Sequence, residues 1–85
     1  MSETREIRIK RLKMRSMRRG IKEMDLILQA YAGNRLEAMT PQELDLYEAL
    51  LDENDQDLYQ WVTGQVPPPP ALADLIQEIS MTFQG

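Results

Sequence analysis

Neither cysteine nor histidine occurs in this 85-residue chain. Without cysteine no disulfide braces the fold and no thiol nucleophile is available; without histidine the commonest general base is missing, and the two gaps together remove the usual zinc ligand sets. An enzymatic role is therefore not expected, and a cysteine-free chain fits a reducing compartment. No apolar run approaches the roughly 18 residues that a membrane span needs, and the basic N-terminus lacks the apolar middle of a secretory signal. No segment carries a convincing strand pattern.

What is present is charge, divided unevenly. Residues 1–22 hold nine Lys and Arg against Glu3 and Glu6, a surplus of +7, whereas the chain from Glu23 onward holds twelve acids and only Arg35, a balance of −11. The seam falls at Arg18-Arg19-Gly20-Ile21-Lys22-Glu23. Such asymmetry bears on association more than on architecture, because net fields steer partners while packing decides the fold. A chain of this length makes one domain, and folding takes only about 60 to 65% of its unfolded surface out of water. At roughly 0.05 to 0.15 kcal/mol per residue, its stability is expected at about 4 to 13 kcal/mol.

Apolar spacing and capping residues predict an all-α, compact five-helix bundle. The first helix, 3–17, mixes Ile7, Ile9, Leu12, Met14 and Met17 with long basic side chains. A segment over 18–33 holds the seam and a second helix whose stripe is Ile21, Met24, Ile27, Leu28 and Tyr31, stopped by Gly33-Asn34. The third helix, 41–53, opens on a capping box of Thr40 and Glu43 with Pro41 at its first position. It carries Leu44, Tyr47 and Leu51, with Leu46 and Leu50 alongside. A short fourth helix over 55–63, capped by Asn54 or Asp55, carries Leu58, Trp61 and Val62 and ends at Gly64. A proline-rich joint over 65–70 sets the spacing to a last helix, 71–83, with Leu72, Leu75, Ile76, Ile79 and Phe83 on one face. Tyr47 and Trp61 read as core residues.

Arg15-Ser16-x-x-Arg19-Gly20-x-x-Glu23-x-Asp25, then Tyr47-x-x-Leu50-Leu51-Asp52, then Asp55-x-Asp57-Leu58-Tyr59-x-Trp61 form a pattern that resembles the small succinate dehydrogenase assembly factors, the flavinylation factor family. The likeness runs from about Arg8 to Phe83; its short RGxxE element gains specificity from standing in register with the later acidic block. The resemblance implies a dedicated chaperone that binds the flavoprotein subunit of succinate dehydrogenase, and in some organisms fumarate reductase. It also implies that the chaperone promotes covalent attachment of FAD to a histidine of that subunit. FAD then belongs to the client and no cofactor to this chain. The family's motif places partner binding on Arg15, Arg19, Gly20, Glu23 and Asp25. In that reading Gly20 allows close backbone approach or a positive φ, Arg19 pairs with a client carboxylate, and Glu23 and Asp25 cap backbone donors or accept hydrogen bonds from the client. A monomer is expected, in the bacterial cytoplasm, or in the mitochondrial matrix if the source is eukaryotic.

Two further patterns are weighed beside this reading. Asp52-Glu53-Asn54-Asp55-Gln56-Asp57 looks like a calcium loop but lacks glycine at the sixth position and an acid at the twelfth, so no metal site is expected. The basic first helix offers an alternative of a different class, a small nucleic-acid-binding regulator or antitoxin, or a helix lying on an anionic membrane surface. Its basic run has no interleaved aromatics, and the acidic remainder would repel phosphate.

Overall fold

The structure, a computed structural model, describes residues 3–17 and 19–84, apart from the side chains of Phe83 and Gln84. Among the described residues the chain forms five α-helices and two 3-10 turns: α1 Arg5–Arg15, α2 Lys22–Arg35 running into a turn at Leu36–Ala38, α3 Pro41–Leu51, α4 Asp55–Val62, and a turn at Pro70–Leu72 leading into α5 Ala73–Gln84. The all-helical expectation holds. Three helix starts have a local chemical cause. The Thr4 hydroxyl accepts from the Ile7 N–H to start α1. Thr40 and Glu43 form the reciprocal capping box of α3, with Pro41 behind the cap. Of the two candidates for capping α4, Asn54 does so through the Gln56 N–H.

Several helix ends differ from expectation. Gly33 does not stop α2, which continues through it to Arg35 before tightening into the 3-10 turn. The reason is that Leu36, beyond the glycine, is fully buried and holds the chain on the core. Ser16 closes α1 two residues before the expected end, and Asp52 closes α3 likewise. The last helix begins two residues later than expected, because Pro70 leads a 3-10 turn first. Gly64, by contrast, ends α4 as its position implied. It takes φ 82°, its N–H bonds the Trp61 carbonyl, and the Gln65 N–H bonds that of Gln60, the reciprocal arrangement of a Schellman stop.

The core gathers around α2, which packs against α1, α4 and α5. Met24, Ile27, Leu28, Tyr31 and Ala32 from α2 meet Leu44, Tyr47, Leu50 and Leu51 from α3, Leu58 and Val62 from α4, and Leu72, Leu75, Ile76 and Ile79 at the C-terminal end. The Tyr31 and Tyr47 rings lie 5.7 Å apart at 32°. Tyr47 is fully buried as expected, while Trp61 packs on the core from a half-buried position. Phe83 was placed on the buried face of the last helix, but its side chain lies outside the described residues. The first helix departs most from its expected face. Only Ile9 and Leu12 are buried; Ile7, Met14 and Met17 stand exposed.

Candidate partner-binding site

Charge explains how α1 is held. Arg8 pairs with Asp45 and Glu48, Arg11 with Glu48 and Glu3, Arg15 with Asp52, and Arg19 with Asp55. The contacts Arg8–Asp45, Arg11–Glu48, Arg15–Asp52 and Arg19–Asp55 join residues 37, 37, 37 and 36 apart. They therefore proceed in one direction along both stretches, at the spacing of three and four that keeps each set on one helical face. Lys13 adds a pair with Glu37 at 3.0 Å. Hydrogen bonds from Arg11, and then from Arg8, hold the Glu48 carboxyl below the usual glutamate range, and Arg11 does the same to Glu3. Arg8, Arg11, Lys13, Arg15 and Arg19 thus face the chain's own acids, which weakens the cationic footprint that the nucleic-acid alternative needs.

The Arg19–Asp55 contact differs from the others in burial. Their side chains are 10% and 19% exposed, against 22% to 70% for the members of the Arg8 and Arg15 pairs. Nε of Arg19 donates to Oδ1 of Asp55 at 2.6 Å, Nη1 to the Leu51 carbonyl at 2.8 Å and Nη2 to the Glu53 carbonyl at 3.0 Å. A cation placed on the last carbonyl of α3 and on one just beyond its cap complements that helix end and satisfies acceptors that the helix itself cannot. The other oxygen of Asp55 accepts from the Gly20 N–H. One carboxylate in the first turn of α4 therefore fastens the α1–α2 joint to the α3–α4 corner.

Gly20 makes that approach close. A Cβ built on it falls 3.0 Å from Asp55 Oδ2, and its φ is not positive. Close approach, one of the two roles foreseen for it, is what the geometry uses; the neighbour is this chain's own carboxylate. One turn earlier, Ser16 is fully buried. Its hydroxyl donates to the Leu12 carbonyl at 2.8 Å and lies 2.6 Å from the Tyr47 hydroxyl, which must then be the donor between them. Burial pushes the Tyr47 phenol up to about 12, so it keeps that proton.

The five motif residues divide into two groups. Arg15, Arg19 and Gly20 are engaged within the chain. Glu23, in the first turn of α2, is exposed and has no hydrogen bond or ion pair among the described residues. Asp25 is half-buried, with Oδ1 buried and without a hydrogen-bond partner. Sequence reasoning did not single out Ser16 and Asp55 as the fasteners of this region. The signal was present in the matched spacing of cations at 8, 11, 15 and 19 and acids at 45, 48, 52 and 55. Asp52 and Asp55 of the acidic run are both spent on arginines, and among the described residues no group of three or more acids is placed to hold a metal ion. No helix of the described residues is long and apolar enough to cross a membrane.

These features define a small all-helical domain in which a short glycine-containing motif is locked against an acidic corner. The chain belongs to the Sdh5 family, the flavinators of succinate dehydrogenase, whose family model matches residues 10–82. It is 46% identical over 61 residues to a protein of Meyerozyma guilliermondii named succinate dehydrogenase assembly factor 2, mitochondrial, a match covering 72% of this chain and 45% of that relative. A protein of the same name from Candida glabrata is 53% identical over 53 residues, covering 62% and 35%. The FAD assembly factor SdhE of Legionella pneumophila is 36% identical over 62 residues, covering 73% of this chain and 78% of that protein. The match thus spans less than half the length of the two yeast relatives.

Proposed function

We propose that this chain is an assembly factor that binds the flavoprotein subunit of succinate dehydrogenase and promotes covalent attachment of FAD to it. The observation that carries the reading is the Arg19–Gly20–Asp55 lock, because it joins the segment on which the resemblance to the flavinylation factors rests to the acidic corner in one surface. Relatives named for assembly of succinate dehydrogenase, or of FAD, support the same role. The chemistry is consistent with a chaperone. A chain without histidine or cysteine cannot itself carry a histidyl flavin bond, but it can hold a client so that flavin and acceptor meet, and positioning alone removes several kcal/mol from a barrier. FAD is the client's cofactor in this scheme. The factor acts as a monomer, and fumarate reductase is a second client where it occurs. Its compartment is the bacterial cytoplasm, or the mitochondrial matrix in a eukaryote.

The test is covalent flavin fluorescence of the flavoprotein subunit on a denaturing gel, from cells with and without this protein. The flavin band should fall on deletion and return with the wild type but not with Gly20→Arg, whose side chain must displace the Asp55 carboxylate. An unchanged band in the deletion strain would overturn the function.

A further inference from the structure

Beside the lock lies a groove of about 480 Å³ lined by Ile21, Glu23, Gln56, Tyr59, Gln60 and Gln65. We propose that this groove receives an arginine side chain of the flavoprotein, with Glu23 as its carboxylate partner. The inference rests on the client reading above and adds which residue of the motif faces the client and what it recognises there.

The argument begins with what each motif residue has left to give. All three nitrogens of the Arg19 guanidinium already donate within the chain, and the Gly20 N–H is taken by Asp55. Of the element's Arg, Gly and Glu positions, Glu23 is the one with an exposed ionisable group unpaired among the described residues. No cationic side chain lines the groove, Lys22 included. The remaining lining is neutral and rich in acceptors. Gln65 spends an amide hydrogen on the Thr63 hydroxyl at 3.0 Å, and its side-chain oxygen has no partner among the described residues. Gln56 and Gln60 add two further side-chain amides without a partner among the described residues.

Apolar surface completes the match. Ile21 and Tyr59 both pack on the core from half-buried positions, so each shows one face to the groove. A side chain that suits this lining has an apolar stem to lie on Ile21, a planar cation to face the Tyr59 ring, and several donors to share between one carboxylate and nearby amide oxygens. Arginine has all three, and its fork of donors fits a carboxylate better than a lysine ammonium does. The larger groove along the outside of α1, lined by Ile7, Lys10, Arg11, Met14, Arg15 and Arg19, makes no comparable selection, since its arginines are already paired.

The bland account of Glu23 is that it merely complements the N-terminal end of α2. Affinity for the purified flavoprotein subunit, measured by calorimetry at two salt concentrations, separates the two. Glu23→Gln is isosteric and should lose at least tenfold in affinity, with a shallower salt dependence and an unchanged circular dichroism spectrum. Glu23→Asp keeps the charge at the helix end but shortens its reach, and should also weaken binding. Among Arg→Glu variants of the flavoprotein, one should restore binding to Glu23→Arg. If the wild type binds and Glu23→Gln binds within twofold of it, or if no such reversal restores binding, this inference falls and the client reading stands. If the wild type does not bind the flavoprotein at all, both fall.

Discussion

A Cβ on Gly20 would sit 3.0 Å from Oδ2 of Asp55, whose other oxygen holds Arg19, so alanine there asks the carboxylate to move by a few tenths of an ångström. Larger side chains ask for more. Gly20→Ala should therefore fold with a loss of about 1 kcal/mol or less in urea unfolding, in line with ordinary single substitutions. Asp55→Ala should cost more, about 2 to 3 kcal/mol, because hydrogen bonds to charged groups are the stronger class and the Arg19 guanidinium is left largely buried with carbonyls alone. Ser16→Ala should lose about 1 to 3 kcal/mol, since the buried Tyr47 hydroxyl then has no partner. An unchanged midpoint in Asp55→Ala would show that the lock contributes nothing to the fold.

At the scale of elements, α1 is fastened by pairs that are mostly exposed, each worth about 0.2 to 1 kcal/mol and screened by salt. The pH dependence has a definite sign. Glu48 ionises more readily in the folded chain than in the unfolded one, so the unfolded chain binds more protons and stability rises with pH. This contribution is fully present above the ordinary glutamate value of 4.5 and is lost as pH falls through the lower folded value. Thermal midpoints should decline below about pH 4.5, and Glu48→Gln should flatten that decline; an equally steep decline in the variant would remove Glu48 as its source. The helices themselves were legible in the sequence wherever capping was local, as at Thr40 and Asn54. Gly33 was misread because burial of Leu36, a tertiary effect, overrode a local stop. Which apolar residues of α1 are buried was not legible for a related reason: ionic contacts that help orient the helix come from residues 37 positions away, which no local periodicity encodes.

Taken whole, the molecule has a small core, with a radius of gyration of 12.2 Å, and little stability to lose. Leu28 is fully buried in α2, the helix that α1, α4 and α5 all contact. Leu28→Ala should cost about 2 to 5 kcal/mol, a large share of the total, and lower the thermal midpoint while the helical spectrum at low temperature persists. The motif residues were visible in the sequence, but their division of labour was not. Arg19 looked like a client-binding cation because its partner Asp55 stands 36 residues on, whereas Glu23 and Asp25 are both without a side-chain partner among the described residues and Glu23 alone of the two is exposed.

The ladder of charges between α1 and the α3–α4 stretch has an ambiguity built into it. Arg8 already touches Glu48 as well as Asp45, and sliding α1 forward by one turn would bring Arg11 near Asp52 and Arg15 near Asp55. Opposite charges draw the two stretches together but tolerate a slip between neighbouring rungs. The buried bond between Ser16 and Tyr47 tolerates none, since no other hydroxyl lies one turn away on either side. Two uncharged oxygens therefore select the alignment on which the Arg19 lock depends, like a pin that indexes a rack.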